Sequence, residues 1–191
     1  MTAPADLPPA AAGAPGERVE LRTPVRPDWL DHNGHMNVAA YLVAFDSAVC
    51  AFCTRIGIGP DRIAATGHSV FVGQANLICR REIHAGDRLA VTMRLLGLAP
   101  DRVHLWMGLY RDAATGDGPA AVCEQLVVCV RLDGRRPAPF PAEVAAALTA
   151  LAQTDAALPP PRLHPGAVAI RRPAPPVSPA PSASPPEGDR P

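Results

Sequence analysis

The chain reads as an α+β domain in which one buried helix packs against an antiparallel sheet. One run with helical apolar period is followed by four segments that alternate with period two, and the links between those segments are short. Over residues 37–56, Val38, Tyr41, Leu42, Phe45, Val49, Phe52 and Ile56 recur near helical spacing. Ala and Cys fill most of the other positions, so this helix is expected to be buried on all sides. Gly57, Gly59 and Pro60 end it. A short strand, 18–26, precedes it and is interrupted by Pro24 and Pro27. After Gly67 the period changes. Phe71, Gly73, Ala75, Leu77 and Cys79 share one face. Leu89 to Leu95, Val103 to Leu109 and a strand over 121–132 repeat the alternation, the last with Leu126, Val128, Val130 and Leu132 together. Gly86-Asp87, Pro100-Asp101, Gly116 to Pro119 and Asp133-Gly134 supply turns, which makes sequential strands antiparallel neighbours. An Ala- and Leu-rich helix over 141–153 closes the ordered part.

The 191 residues suit one domain with tails, and a hydrophobic share of 48% is enough for a sizeable core. Net charge is zero and only eight residues are aromatic, so neither a basic patch nor a stacking surface points to nucleic acid. Every basic residue is Arg, which removes lysine nucleophiles and Schiff bases from the possible chemistry. No run is expected to be long and apolar enough to span a bilayer; Val38 to Cys53 comes nearest and carries Asp46. The five cysteines, an odd number, suit reduced thiols in a cytoplasm. Cys50 and Cys53 lie in the apolar helix without a second ligand pair, so they are expected to pack in the core.

Two changes in composition divide the chain. Residues 1–16, rich in Ala and Pro, are expected to be a disordered leader; they lack the basic start and continuous apolar stretch of a signal peptide. Residues 17–157 form the domain. Residues 158–191 hold half of all the Pro and are expected to be a disordered tail, because little apolar surface is there to offset the ordering entropy.

The reactive side chains concentrate where the first loop enters the buried helix: Asp31, His32, Asn33, His35 and Asn37. A helix N-terminus offers unpaired N–H groups and a partial positive charge, which a developing oxyanion needs. A carboxylate just before those donors is ionised at neutral pH and can attack an acyl carbon or activate water. The same residues also suit a purely structural role, with Asn37 as the N-cap and Asp31 and Asn33 in an Asx turn. His32 and His35 without a third ligand do not make a metal site.

The stretch from Val25 to Asn37, with Asp31-His32-Asn33-Gly34-His35-Met36-Asn37 at its centre and Tyr41, Phe45 and Ala48 after it, resembles the entry signature of hotdog-fold thioesterases of the 4-hydroxybenzoyl-CoA type. Within that group the chain is similar to the betainyl-CoA thioesterases of carnitine degradation. The matching stretches are Ala65 to His68, Arg81 to Asp87, Arg102 to Leu105, Cys123 to Leu126 and Ala138 to Pro141, and the resemblance spans about residues 19–155. It implies a sheet wrapped around the helix and hydrolysis of a small acyl-CoA. It implies subunits paired through their sheets as a homodimer or homotetramer, and active sites at the interface. It implies Asp31 as the catalytic carboxylate, with Asn33 and His35 orienting it, and an N–H near Val38 in the oxyanion hole. No metal and no cofactor are required. Where the subgroup is expected to read Glu-x-His in the second strand, this chain has Gln74-Ala75-Asn76, and Trp106 is followed by Met107 rather than His. A carboxylate at Gln74 would suit a trimethylammonium acyl group.

Trp29, Tyr41 and Trp106 can cage a quaternary ammonium or pack in the core. Together with Asn37, Gln74 and Glu124 they are the expected substrate-binding residues. Arg80, Arg81 and Arg131 are the expected partners of the CoA phosphates, with Arg135 and Arg136 as further candidates. Asp46, midway along the buried helix, is expected to pair across a dimer or to serve the site. Two rivals share the fold: a hydratase or dehydratase acting on enoyl-CoA, and a non-catalytic acyl-CoA-binding module.

Overall fold

A computed structural model describes residues 16–111, 118–161, 163–164 and 166–170. The strands are β1 (Arg18–Pro24), β2 (His68–Cys79), β3 (Arg88–Ala99), β4 (Arg102–Arg111), β5 (Ala121–Arg131) and the two-residue β6 (Arg136–Pro137). The helices are α1 (Val38–Arg55), the single turn α2 (Ile63–Thr66) and α3 (Ala142–Ala156). All pairings are antiparallel, in the order β1-β3-β4-β5-β2, with β6 on the end of β5. This is the α+β arrangement expected, with α1 on the inner face of the sheet; the short link through Gly86-Asp87, however, does not make β2 and β3 neighbours, because β2 crosses to the far edge and pairs with β5.

The inner face is built from the alternations read in the sequence. Leu89, Val91, Met93, Leu105, Met107 and Leu109 are fully buried, and α1 sets Ala44, Phe45, Ala48 and Phe52 against that layer. Burying each such large side chain contributes about 1.5–3 kcal/mol. Val144 and Leu148 of α3 close one end of the same core.

Against expectation, α1 is not buried all round. Val38, Leu42 and Val43 are 66%, 39% and 47% exposed, and Asp46 and Cys50 continue that open stripe. Asp46 is therefore a solvated carboxylate rather than a buried one, and only Cys53 of the Cys-x-x-Cys pair is buried. Also against expectation, α1 is long and apolar enough to cross a membrane, with mean hydropathy 1.4 over 18 residues; here its buried stripe is the centre of the core.

Bulges change which residues share a face. In β2 the register shifts between Val72 and Gln74, so Gly73 is the extra residue and the alternation reverses phase. Val70 and Leu77 both pack on the core, whereas Phe71 turns outward and is 43% exposed. In β5 the face carrying Leu126, Val128 and Val130 is the outer one, because the inner face is Ala121, Cys123, Val127 and Cys129.

The tail also departs from expectation. Residues 158–170, where described, run across the outer face of the sheet. Leu163 O accepts from Trp106 Nε1 at 3.3 Å and Ala167 O accepts from Gln74 Nε2 at 3.1 Å. Pro159 O accepts from Arg94 Nη1 at 2.7 Å. Val168 is 2% exposed. This strap is held through its peptide groups as well as by Val168 and Ile170, contacts that a Pro-rich composition does not report. Residues 1–15 and 171–191, most of the expected leader and tail, lie outside the described residues, as does Arg162.

Candidate active site

Residues 31–36 form a tight loop closed by a bridge between Leu30 and Met36. Asp31 N–H donates to His35 O and Gly34 N–H to Asp31 O, each at 3.0 Å. Gly34 sits at φ +80°, where a side chain is strained, so the turn favours glycine. The Asp31 carboxylate accepts from Asn33 N–H at 2.8 Å through Oδ1, and Oδ2 lies 3.7 Å from His35 Nδ1. Partial burial pushes the Asp31 carboxyl up, but the Asn33 N–H and the nearby His35 and His32 outweigh it and hold it below its ordinary value. Asp31 is thus an ionised carboxylate with one oxygen committed to the turn.

Asn37 joins this loop to α1. Its Oδ1 accepts from Ala40 N–H and its Nδ2 donates to Trp29 O, both at 2.9 Å. With Ala40 satisfied, the N–H groups of Val38 and Ala39 are left at the tip of the helix, where backbone donors lack intrahelical partners. Both polar atoms of Asn37 make bonds inside the fold, so Asn37 ties the loop to the helix. The two readings of this segment combine: the Asx turn and N-cap exist, and they aim the reactive groups.

Beside the helix tip is a cavity of about 380 Å³ lined by His35, Met36, Val38, Tyr41, Cys79, Arg80, Arg81 and Glu82. Tyr41 is 4% exposed and its hydroxyl donates to Arg81 O at 3.1 Å. Burial first, then the charges of Cys79 and Glu82, push that hydroxyl up to about 12. The cavity wall is tied to the reactive loop, since Met36 N–H donates to Ile83 O at 2.7 Å and His35 bridges His84.

Asp31, His35, Val38, Tyr41, Arg80 and Arg81 are therefore brought to one end of the molecule. Other expected site residues are not. Trp29 is 8% exposed and belongs to the core, with the Arg26 guanidinium 5.8 Å from its ring centroid. Gln74, Trp106 and Glu124 point to the outer face under the strap, because strand alternation sends them away from α1. Arg131 pairs with Asp133 at 2.7 Å. It lies ten steps along β5 from Ala121, the partner of Cys79, or about 33 Å at the rise of a strand. Arg135 and Arg136 follow it, outside the cavity. Cys79 and Glu82 are the cavity residues that sequence reasoning missed. Their signal was position, at and just after the end of β2 that faces the helix tip.

Residues 25–148 match the Thioesterase-like superfamily. The chain belongs to that family. It is 41% identical over 140 residues to the betainyl-CoA thioesterase of Pseudomonas aeruginosa, covering 73% of this chain and 86% of that protein. It is 36% identical to the L-carnitine dehydrogenase/betainyl-CoA thioesterase of Ruegeria pomeroyi over 69% of this chain, which spans 26% of that longer protein. Among solved structures, a Pseudomonas putida KT2440 protein described as a candidate thioesterase superposes with a TM-score of 0.66 at 30% identity, covering 85% of this chain and 100% of that one. A Staphylococcus aureus protein solved in complex with CoA shares the fold, with a TM-score of 0.70 at 21% identity over 85% of this chain and 100% of that one. The fold is the hotdog α+β fold, and the activity class is acyl-CoA thioester hydrolysis.

Proposed function

We propose that the chain hydrolyses a short acyl-CoA, with betainyl-CoA the first substrate to test, and that Asp31 is its catalytic carboxylate. The observation that carries this reading is the ionised Asp31 carboxylate held in a locked turn before the donor tip of α1. The thioester carbonyl oxygen would take the N–H of Val38, which polarises the carbonyl carbon. Asp31 then attacks that carbon, or directs water to it, and CoA departs as the thiolate. His35, 3.7 Å from Asp31, orients the carboxylate or the water. Arg80 and Arg81, on the cavity wall, are the groups placed to meet the CoA phosphates.

The open stripe of α1 supports a homodimer, since its exposed Leu42 and Val43 line one shallow groove with the exposed Val72 of β2. The strap over the outer sheet face favours that dimer over a tetramer built back to back. Five free thiols suit a reducing cytoplasm.

The test is CoA release from a panel of betainyl, short aliphatic and aromatic esters, with Asp31→Ala alongside. Release that depends on Asp31 supports the reading. Tight binding without release would favour the non-catalytic module, and water addition to an enoyl-CoA would favour the hydratase. Label from bulk water entering Asp31 in a single turnover would favour direct attack over activation of water.

A further inference from the structure

We propose that Glu82 selects the acyl group: its carboxylate, with the ring of Tyr41, forms the part of the reaction cavity that takes a short acyl chain ending in a quaternary ammonium. This rests on the thioesterase reading above and assigns a residue to its specificity.

A quaternary ammonium has no N–H to donate. It is recognised by charge and by the face of an aromatic ring. In a betaine ester the nitrogen is one methylene from the reacting carbonyl, so its counter-charge must line the same cavity as the helix tip. The carboxylates of the chain can be sorted on that requirement. Gln74, where the family resemblance led us to expect a carboxylate, turns to Ala167 O on the outer face and is outside the cavity. Glu124 is fully buried on that same outer face. Asp46 lies eight residues along α1 from Val38, about 12 Å at the rise of a helix, beyond the reach of so short a chain. Asp31 is committed to the reaction. Glu82 lines the cavity together with Val38 and Tyr41.

Its surroundings leave its charge available. The Glu82 side chain is 67% exposed, and its ion-pair contact among the described residues is His84 Nε2 at 3.5 Å. Neighbouring Arg81 directs Nη1 to Gly118 O at 3.1 Å. The negative charge of Glu82 acts on the Tyr41 hydroxyl, which places ring and carboxylate within one another's field. The bonds from Met36 to Ile83 and the bridge from His35 to His84 fix the Glu82 segment relative to Asp31. Seating the substrate and excluding water would strengthen the attraction.

The test uses a matched pair of esters, betainyl-CoA and 3,3-dimethylbutanoyl-CoA, in which carbon replaces the nitrogen at constant shape. The ratio of their kcat/KM values is measured for the full-length wild type, Glu82→Gln and Glu82→Asp, with circular dichroism to establish that each is folded. Wild type is expected to favour the cationic ester. Glu82→Gln should lower the ratio about tenfold, or about 1.4 kcal/mol, chiefly through KM. Glu82→Asp should keep most of it, and added salt should narrow the wild-type ratio. An unchanged ratio in Glu82→Gln overturns the proposal, as does a wild type that prefers the neutral ester or hydrolyses other acyl-CoAs but neither of this pair. Those outcomes leave the thioesterase reading standing, whereas no release from any acyl-CoA would remove that reading and this proposal together.

Discussion

His164 Nδ1 and Glu124 Oε1 lie 2.6 Å apart, joining the C-terminal strap to a fully buried carboxylate in the middle of β5. Glu124 also accepts from Gly166 N–H and Val168 N–H, each at 3.4 Å, and faces His104 Nε2 at 3.3 Å. Burial pushes His104 down, which the nearby Glu124 only partly offsets. Replacing Glu124 with Leu strands these donors, and each lost bond to a charged group costs about 1.5–3 kcal/mol. Thermal denaturation of Glu124→Leu should show a midpoint at least about 4 °C lower. An unchanged midpoint would mean that the Glu124 bonds to the strap contribute nothing to stability.

Asn37 serves two partners, and two substitutions separate them. Asn37→Ala removes the cap and should cost about 1 kcal/mol of stability. Asn37→Asp keeps an acceptor for Ala40 N–H but loses the donor to Trp29 O. It should therefore be nearer to wild type in chemical denaturation while still losing turnover, because the reactive loop is no longer tied down. Equal turnover in Asn37→Asp and wild type would show that the Trp29 bond does not position Asp31.

Gly34 has open space around the place of a Cβ, so Gly34→Ala carries a purely conformational penalty at φ +80°. The expected loss is about 1 kcal/mol in stability, with a larger proportional loss in kcat as the turn that aims Asp31 relaxes. Denaturant midpoints measured beside steady-state rates would show the two effects.

The Asp31 carboxyl lies below its ordinary 3.8. Its ionised form, the one the proposed mechanism needs, is therefore fully present above that value and is lost only as pH falls through the lower folded value. A kcat/KM profile should show no acid limb from Asp31 between pH 5 and 8, a window about a unit or more above the reference carboxylate value. A limb in that window that disappears in Asp31→Asn would contradict the geometry.

Val43, 47% exposed on the open stripe of α1, tests the assembly. Val43→Arg should move the protein from dimer to monomer in light scattering and lower activity with it. A monomeric, fully active wild type would remove the dimer from the proposal.

Much of the architecture was legible because apolar period reports burial directly. The α1 run and the Leu89, Val103 and Ala121 strands were all visible in this way. Faces were less legible, because one bulge at Gly73 reverses every side chain beyond it, and both faces of β5 are apolar. The loop from Asp31 to Asn37 could be read since its groups are adjacent in sequence. Trp106, Glu124 and Gln74 could not, because their placement depends on strand phase. The cavity role of Glu82 depends on a contact between segments nearly fifty residues apart.

The strap is recognised mostly through its peptide groups: Arg94, Trp106 and Gln74 donate to its carbonyls, and Glu124 accepts from its amides. His164, Val168 and Ile170 add side-chain contacts to that backbone path, whereas Ala167 and Ala169 are exposed. A descendant could rewrite its exposed letters, such as Ala167 and Ala169, and still wear it in the same place. Anyone trimming such a chain by composition would cut away part of the folded body.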